Sequence, residues 1–222
     1  LQIIITAGNH DSANRLEAPS ALLHRHKIEV RGRVHRQWVQ DKCEEDGCNA
    51  AGHWEFTTDD LMIPITSADG KEEAVVLAVP FLRSDVSLDG SYSKGVTALL
   101  HKLTDKARET YPNLPSIMMA HMYAAGAEIR EGSSEKILIG GQEQVSFGKW
   151  DNHPDYLTCG HIHKRQHIWN TDWARYSGSV LPMSFAERDY RHGVDLITIS
   201  QGVKPAVEFL EYTPQHPLMT IP

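Results

Sequence analysis

Residues 3–16, "IIITAGNHDSANRL", run β-branched side chains into Ala7 and Gly8 and then set an amide, an imidazole and a carboxylate side by side at Asn9, His10 and Asp11. The first half predicts a buried strand over residues 2–7. The second half is out of place at the end of a buried strand unless the strand feeds a site. In open α/β sheets functional groups gather beyond the carboxyl ends of strands, where neighbouring strand tips converge. The small residues leave room there for close approach.

Two other stretches end in the same way. "SIMMAHM" (116–122) passes through Ala120 to His121, and "DYLTCGHIH" (155–163) passes through Gly160 to His161 and His163. Imidazole nitrogens and an amide oxygen together suit divalent cations such as Mn²⁺, Fe²⁺ or Zn²⁺. His161 and His163 alternate along an extended chain, so only a backbone turn after the strand aims them at two adjacent ions. Two metals a few ångströms apart suit phosphoester hydrolysis. Taken singly, each residue has a plainer reading. A lone strand-end histidine is more commonly a hydrogen-bonded rim residue, Asn9 a turn residue and Asp11 a cap. The joint occurrence on three strand ends points to one site.

Around these stretches the chain alternates elements. "SANRLEAPSALLHRH" (12–26) reads as a helix, residues 28–80 as β-rich, and residues 40–52 as a polar insertion. "KGVTALLHKLTDKARETY" (94–111) carries Val96, Leu99, Leu100, Leu103 and Ala107 at helical spacing and is closed by Pro112. "GGQEQVSF" (140–147) reads as a short element, and strands follow in "WARYSGSV" (173–180), "GVDLITIS" (193–200) and the segment starting "AVEFLEY" (206–212). The fold class is α/β, in an α+β layered arrangement with helices covering a mixed sheet.

Composition excludes several classes. At 222 residues, with 41% apolar and 23% charged residues, the chain can bury a core of ordinary size. No run of eighteen apolar residues offers a membrane span. Three cysteines argue against a disulfide framework and fit a reducing cytoplasm. Cys43, Cys48 and His53 lie within "DKCEEDGCNAAGHWEF" (41–56), where a zinc loop is the alternative to ordinary thiols in an exposed insertion. A net charge of −7 does not announce a nucleic-acid binder. The basic stretch "HRHKIEVRGRVHRQW" (24–38) could meet phosphates or could be a solvated strand edge.

At Gly8 to Asp11 and Gly160 to His163 the sequence resembles the calcineurin-like metallophosphoesterases, whose signature includes Gly-Asn-His-Asp/Glu and a late Gly-His-x-His. "GNHDSANRLEAPSALL" (8–23), "YLTCGHIHKRQ" (156–166) and "RYSGSVLPMSFAE" (175–187) further resemble the bacterial SbcD nuclease subunits. The resemblance implies β-sheets flanked by helices and two divalent metal ions, with Mn²⁺ expected. Asn9, His121 and His161 then become ligands of one metal and His163 a ligand of the other. His10 becomes the catalytic histidine at the scissile phosphate, oriented by Asp11. Arg130, Lys164 and Arg165 are candidate phosphate contacts. The resemblance also implies DNA as substrate, an SbcC-like ATPase subunit as partner, a homodimer in the complex and a cytoplasmic setting. It divides the chain into a phosphoesterase domain over residues 1–203 and the start of a capping domain over 204–222.

The family's earlier Asp-x-His and Gly-Asp motifs have no counterpart before Asn9, and the chain opens on Leu1 in place of Met. The expectation is of a fragment, inactive as a nuclease by itself. Two rival readings stay open: a small-molecule phosphodiesterase or phosphatase on the same fold, and a non-catalytic scaffold module.

Overall fold

The computed structural model describes residues 1–41, 52–131 and 144–219. Strand β1 (Ile3–Thr6) leads into two short helices, α1 (Ala13–Glu17) and α2 (Ser20–His24), and then β2 (Ile28–Arg31). The single helix expected over residues 12–26 is thus two. Pro19 supplies the physical reason: it has no N–H to donate, so the helical hydrogen-bond ladder breaks there. It stands at the N-terminal boundary of α2. β1 and β2 pair in parallel from Ile3↔Ile28 to Thr6↔Arg31.

A hairpin of β3 (Arg36–Gln40) and β4 (Gly52–Phe56) follows, then β5 (Met62–Thr66) and β6 (Glu72–Ala78). β3 begins in the basic stretch, where three of the four arginines are engaged with acids. Arg31 pairs with Glu29, Arg33 with Glu17 and Arg36 with Asp85. Cys43 and Cys48 lie outside the described residues, as does most of the expected insertion. His53 Nδ1 stands 2.8 Å from Asp41 Oδ1.

Helix α3 (Tyr92–Thr110) is capped by the Ser91 hydroxyl, which accepts the Lys94 N–H. It is followed by β7 (Ser116–His121), β8 (Tyr156–Gly160), β9 (Gln166–His167), β10 (Ala174–Tyr176), β11 (Gly193–Ser200) and β12 (Val203–Glu211). Six of these strands form one mixed sheet in the order β5-β6-β7-β8-β10-β9. The central pairs β6/β7, β7/β8 and β8/β10 are parallel, and the two edge strands are antiparallel. Period-two alternation then assigns each face its packing. Val75, Leu77, Met118 and Leu157 meet the α3 stripe of Val96, Leu99, Leu100 and Leu103. Val76, Ala78 and Ile63 turn to the other face, against Ile4 of β1. All five stripe residues expected from helical spacing are buried.

β11 and β12 form a separate hairpin, paired from Gly193↔Glu211 to Ser200↔Val203. The boundary expected at residue 203 falls at the first residue of β12. Arg165 ties this hairpin to the sheet, bonding Asp195 at 2.8 Å and lying 4.5 Å from the Phe209 ring centre. Among the described residues no helix is long and apolar enough to cross a membrane.

Candidate metal centre

The carboxyl ends of β1, β7 and β8 come together, as the repeated strand endings imply. The β7–β8 register sets His121 directly beside Gly160. The Ala7 carbonyl after β1 accepts the Phe81 N–H after β6 at 2.8 Å, which draws the β1 end onto the same rim. The His121 ring lies between two glycines. A Cβ on Gly8 would stand 2.8 Å from His121 Cε1, and one on Gly160 would stand 2.8 Å from Nδ1. The room left by small residues is therefore taken by an imidazole, which only glycine on both sides admits.

The side chains then converge on one oxygen. His121 Nε2 lies 2.8 Å from Asn9 Oδ1, and His161 Nδ1 lies 3.3 Å from the same oxygen. The strand ends at Gly160 and the backbone does turn at His161, whose φ of +99° is a conformation seldom adopted by a side-chain-bearing residue. Holding it costs on the order of 1–3 kcal/mol, a strain that concentrates at functional sites. Burial lowers the His121 imidazole to about 4, repulsion from His161 adds to this, and Asp11 opposes it. A neutral ring keeps a lone pair for a cation.

This donor set fits a divalent ion. Metal–ligand bonds of about 2.1 Å place neighbouring ligand atoms of a six-coordinate ion about 3 Å apart. The Asn9–His121 and Asn9–His161 separations of 2.8 and 3.3 Å bracket that edge. Among the described residues no group of three or more His, Cys, Asp and Glu side chains converges. The convergence is of two histidines and an amide.

The remaining expected residues sit as follows. His163 stands 3.1 Å from Glu187, its Nδ1 facing Oε2. His10 is exposed, and among the described residues no hydrogen bond reaches it. Asp11 Oδ2 accepts the Gly8 N–H at 2.7 Å and so closes the turn that carries His10. Arg130, Lys164 and Arg165 each face an acid, respectively Asp189, Glu128 and Asp195.

Sequence reasoning passed over two residues here. Glu187 is fully buried yet looks like a surface charge in "SFAERD" (184–189). Tyr176 is fully buried, and its hydroxyl donates to Met122 O and accepts the Ala124 N–H, both at 2.8 Å. It thereby fixes the loop that leaves His121. The only signal for either was its place within the "RYSGSVLPMSFAE" resemblance.

No protein-family model matches the chain. Curated relatives do. The SbcD subunit of the SbcCD nuclease of Rhodobacter capsulatus is 33% identical over 215 residues, covering 92% of this chain and 49% of that protein. The Escherichia coli K12 protein of the same name is 30% identical over 168 residues, 69% of this chain and 41% of that protein. The Bacillus subtilis one is 28% identical over 211 residues, 90% of this chain and 47% of that protein. The chain spans about half the length of the curated relatives it matches.

Proposed function

The chain belongs to the family of SbcD subunits of the SbcCD nuclease, and from that premise we propose that the protein carrying it is a metal-dependent nuclease subunit hydrolysing phosphodiester bonds in DNA. The observation that carries the proposal is the meeting of Asn9, His121 and His161 from three strand ends at 2.8 and 3.3 Å. Asn9, His121 and His161 hold one divalent cation and His163 belongs to the second, with Mn²⁺ as the ion. Bound, such a pair supplies an activated water and neutralises charge on the phosphate.

The chain's own groups do the rest. Asn9 presents its amide oxygen, and His121 a ring held neutral by burial. His10 projects from the turn that Asp11 closes and gives a proton or hydrogen bond to the leaving oxygen. An SbcC-like ATPase, a second copy of the subunit and a DNA end complete the assembly, in the cytoplasm. Residues 1–203 form the phosphoesterase part and 204–222 lead into a capping domain.

The test uses the protein expressed from its complete gene, with Mn²⁺, on linear duplex and single-stranded DNA and on bis(p-nitrophenyl) phosphate. DNA cleavage that His10→Ala abolishes at unchanged metal content is the expected result. Hydrolysis of the small diester with DNA left intact would assign a small-molecule phosphodiesterase. Neither metal binding nor hydrolysis would leave a scaffold.

A further inference from the structure

Glu187 has lost all contact with water, and a carboxylate in that position is costly unless it is fully bonded. It lies in a single 3₁₀ turn, Phe185–Glu187. Oε1 accepts the Ser184 hydroxyl at 3.1 Å, and Oε2 accepts the Met183 N–H at 2.9 Å. Oε2 also faces His163 Nδ1 at 3.1 Å.

The segment that delivers Glu187 grips His163 a second time, at its backbone. Ser179 N–H donates to the His163 carbonyl at 3.0 Å. Gly178, at φ +83°, passes so close that a Cβ would stand 2.9 Å from that carbonyl oxygen. The two grips are joined by His192, 3% exposed, whose Nδ1 lies 3.0 Å from Ser179 O and whose Nε2 lies 3.2 Å from Glu187 O. Residues 178–192 thus form a strap closed by one histidine and fastened on another.

We propose that Glu187 is a positioning residue: it holds His163 as the Nδ1–H tautomer, so that Nε2 is the nitrogen with the lone pair a divalent cation would use. A carboxylate accepting two other hydrogen bonds has no proton to give the ring, so the shared proton sits on Nδ1. A buried carboxylate behind a liganding imidazole fixes both tautomer and ring orientation and raises ligand basicity. The cation half of this statement rests on the metal site proposed above. The tautomer half does not.

Long-range ¹H–¹⁵N spectra of the metal-free protein, labelled at histidine, read the tautomer directly, with His163→Gln assigning the signals. The expected spectrum shows His163 protonated at Nδ1 and bare at Nε2. Glu187→Gln preserves this, because its amide oxygen can take the place of Oε2 while its NH₂ turns to the Ser184 hydroxyl. Glu187→Met removes the acceptor, mixes the tautomers and weakens Mn²⁺ binding about 10- to 100-fold. A native His163 carrying its proton on Nε2 overturns the proposal whether or not either variant folds. A fixed Nδ1–H tautomer whose signals ignore added Zn²⁺ overturns the metal reading instead, so the two failures are told apart.

Discussion

His121 occupies the space that Gly160 leaves open: the two are register partners on β7 and β8, and a Cβ on Gly160 would stand 2.8 Å from His121 Nδ1. Strand register, a missing side chain and the aim of an imidazole are one feature of the fold.

Gly160→Ala is therefore expected to push the His121 ring off Asn9 while the sheet survives. Overpacking of this kind costs about 1–3 kcal/mol in stability. Mn²⁺ affinity should fall roughly 10- to 100-fold, as when a ligand loses its support. Calorimetric titration with Mn²⁺ beside a urea melt separates the two effects. Native affinity in the alanine variant would mean that His121 does not bind the cation.

Tyr176→Phe should destabilise the protein by about 1–3 kcal/mol, because it strands the Ala124 N–H and the Met122 carbonyl in a dry interior. Equilibrium unfolding in urea measures the loss. A change under about 0.5 kcal/mol would indicate that both groups find other partners.

Leu103→Ala, at a fully buried position in α3, should cost about 2–5 kcal/mol. Leu22→Ala, at a site 62% exposed, should stay within about 0.5 kcal/mol. Equal effects in the two denaturation curves would contradict the placement of the core on the α3 side of the sheet.

Much of this architecture is legible in the sequence because its signals are local. The passage from apolar to small to polar residues at Thr6–Asn9, Met119–His121 and Cys159–His161 marks three strand ends, and the Val96 to Ala107 stripe marks one helix. What escapes the sequence is non-local or weakly patterned. β3 (Arg36–Gln40) is largely polar, and β9 (Gln166–His167) is two residues long. Glu187 is tied to His163 across 24 positions, a separation no periodicity records. Arg165 meets Asp195 and Phe209 only through the fold, 30 and 44 positions along the chain.

Cys159, just before Gly160, is 2% exposed, and burial raises its thiol well above the ordinary range. In a Cys43→Ser, Cys48→Ser background, Ellman's reagent should leave the native protein unmodified and react with one thiol in guanidinium. Fast labelling under native conditions would show that β8 opens beside the site.

The most direct test of the metal centre is an anomalous difference map from crystals soaked in Mn²⁺. The expected result is a manganese peak bonded to Asn9 Oδ1 and His121 Nε2, with the His161 ring completing that side. A fully loaded crystal whose manganese lies away from these three residues would contradict it.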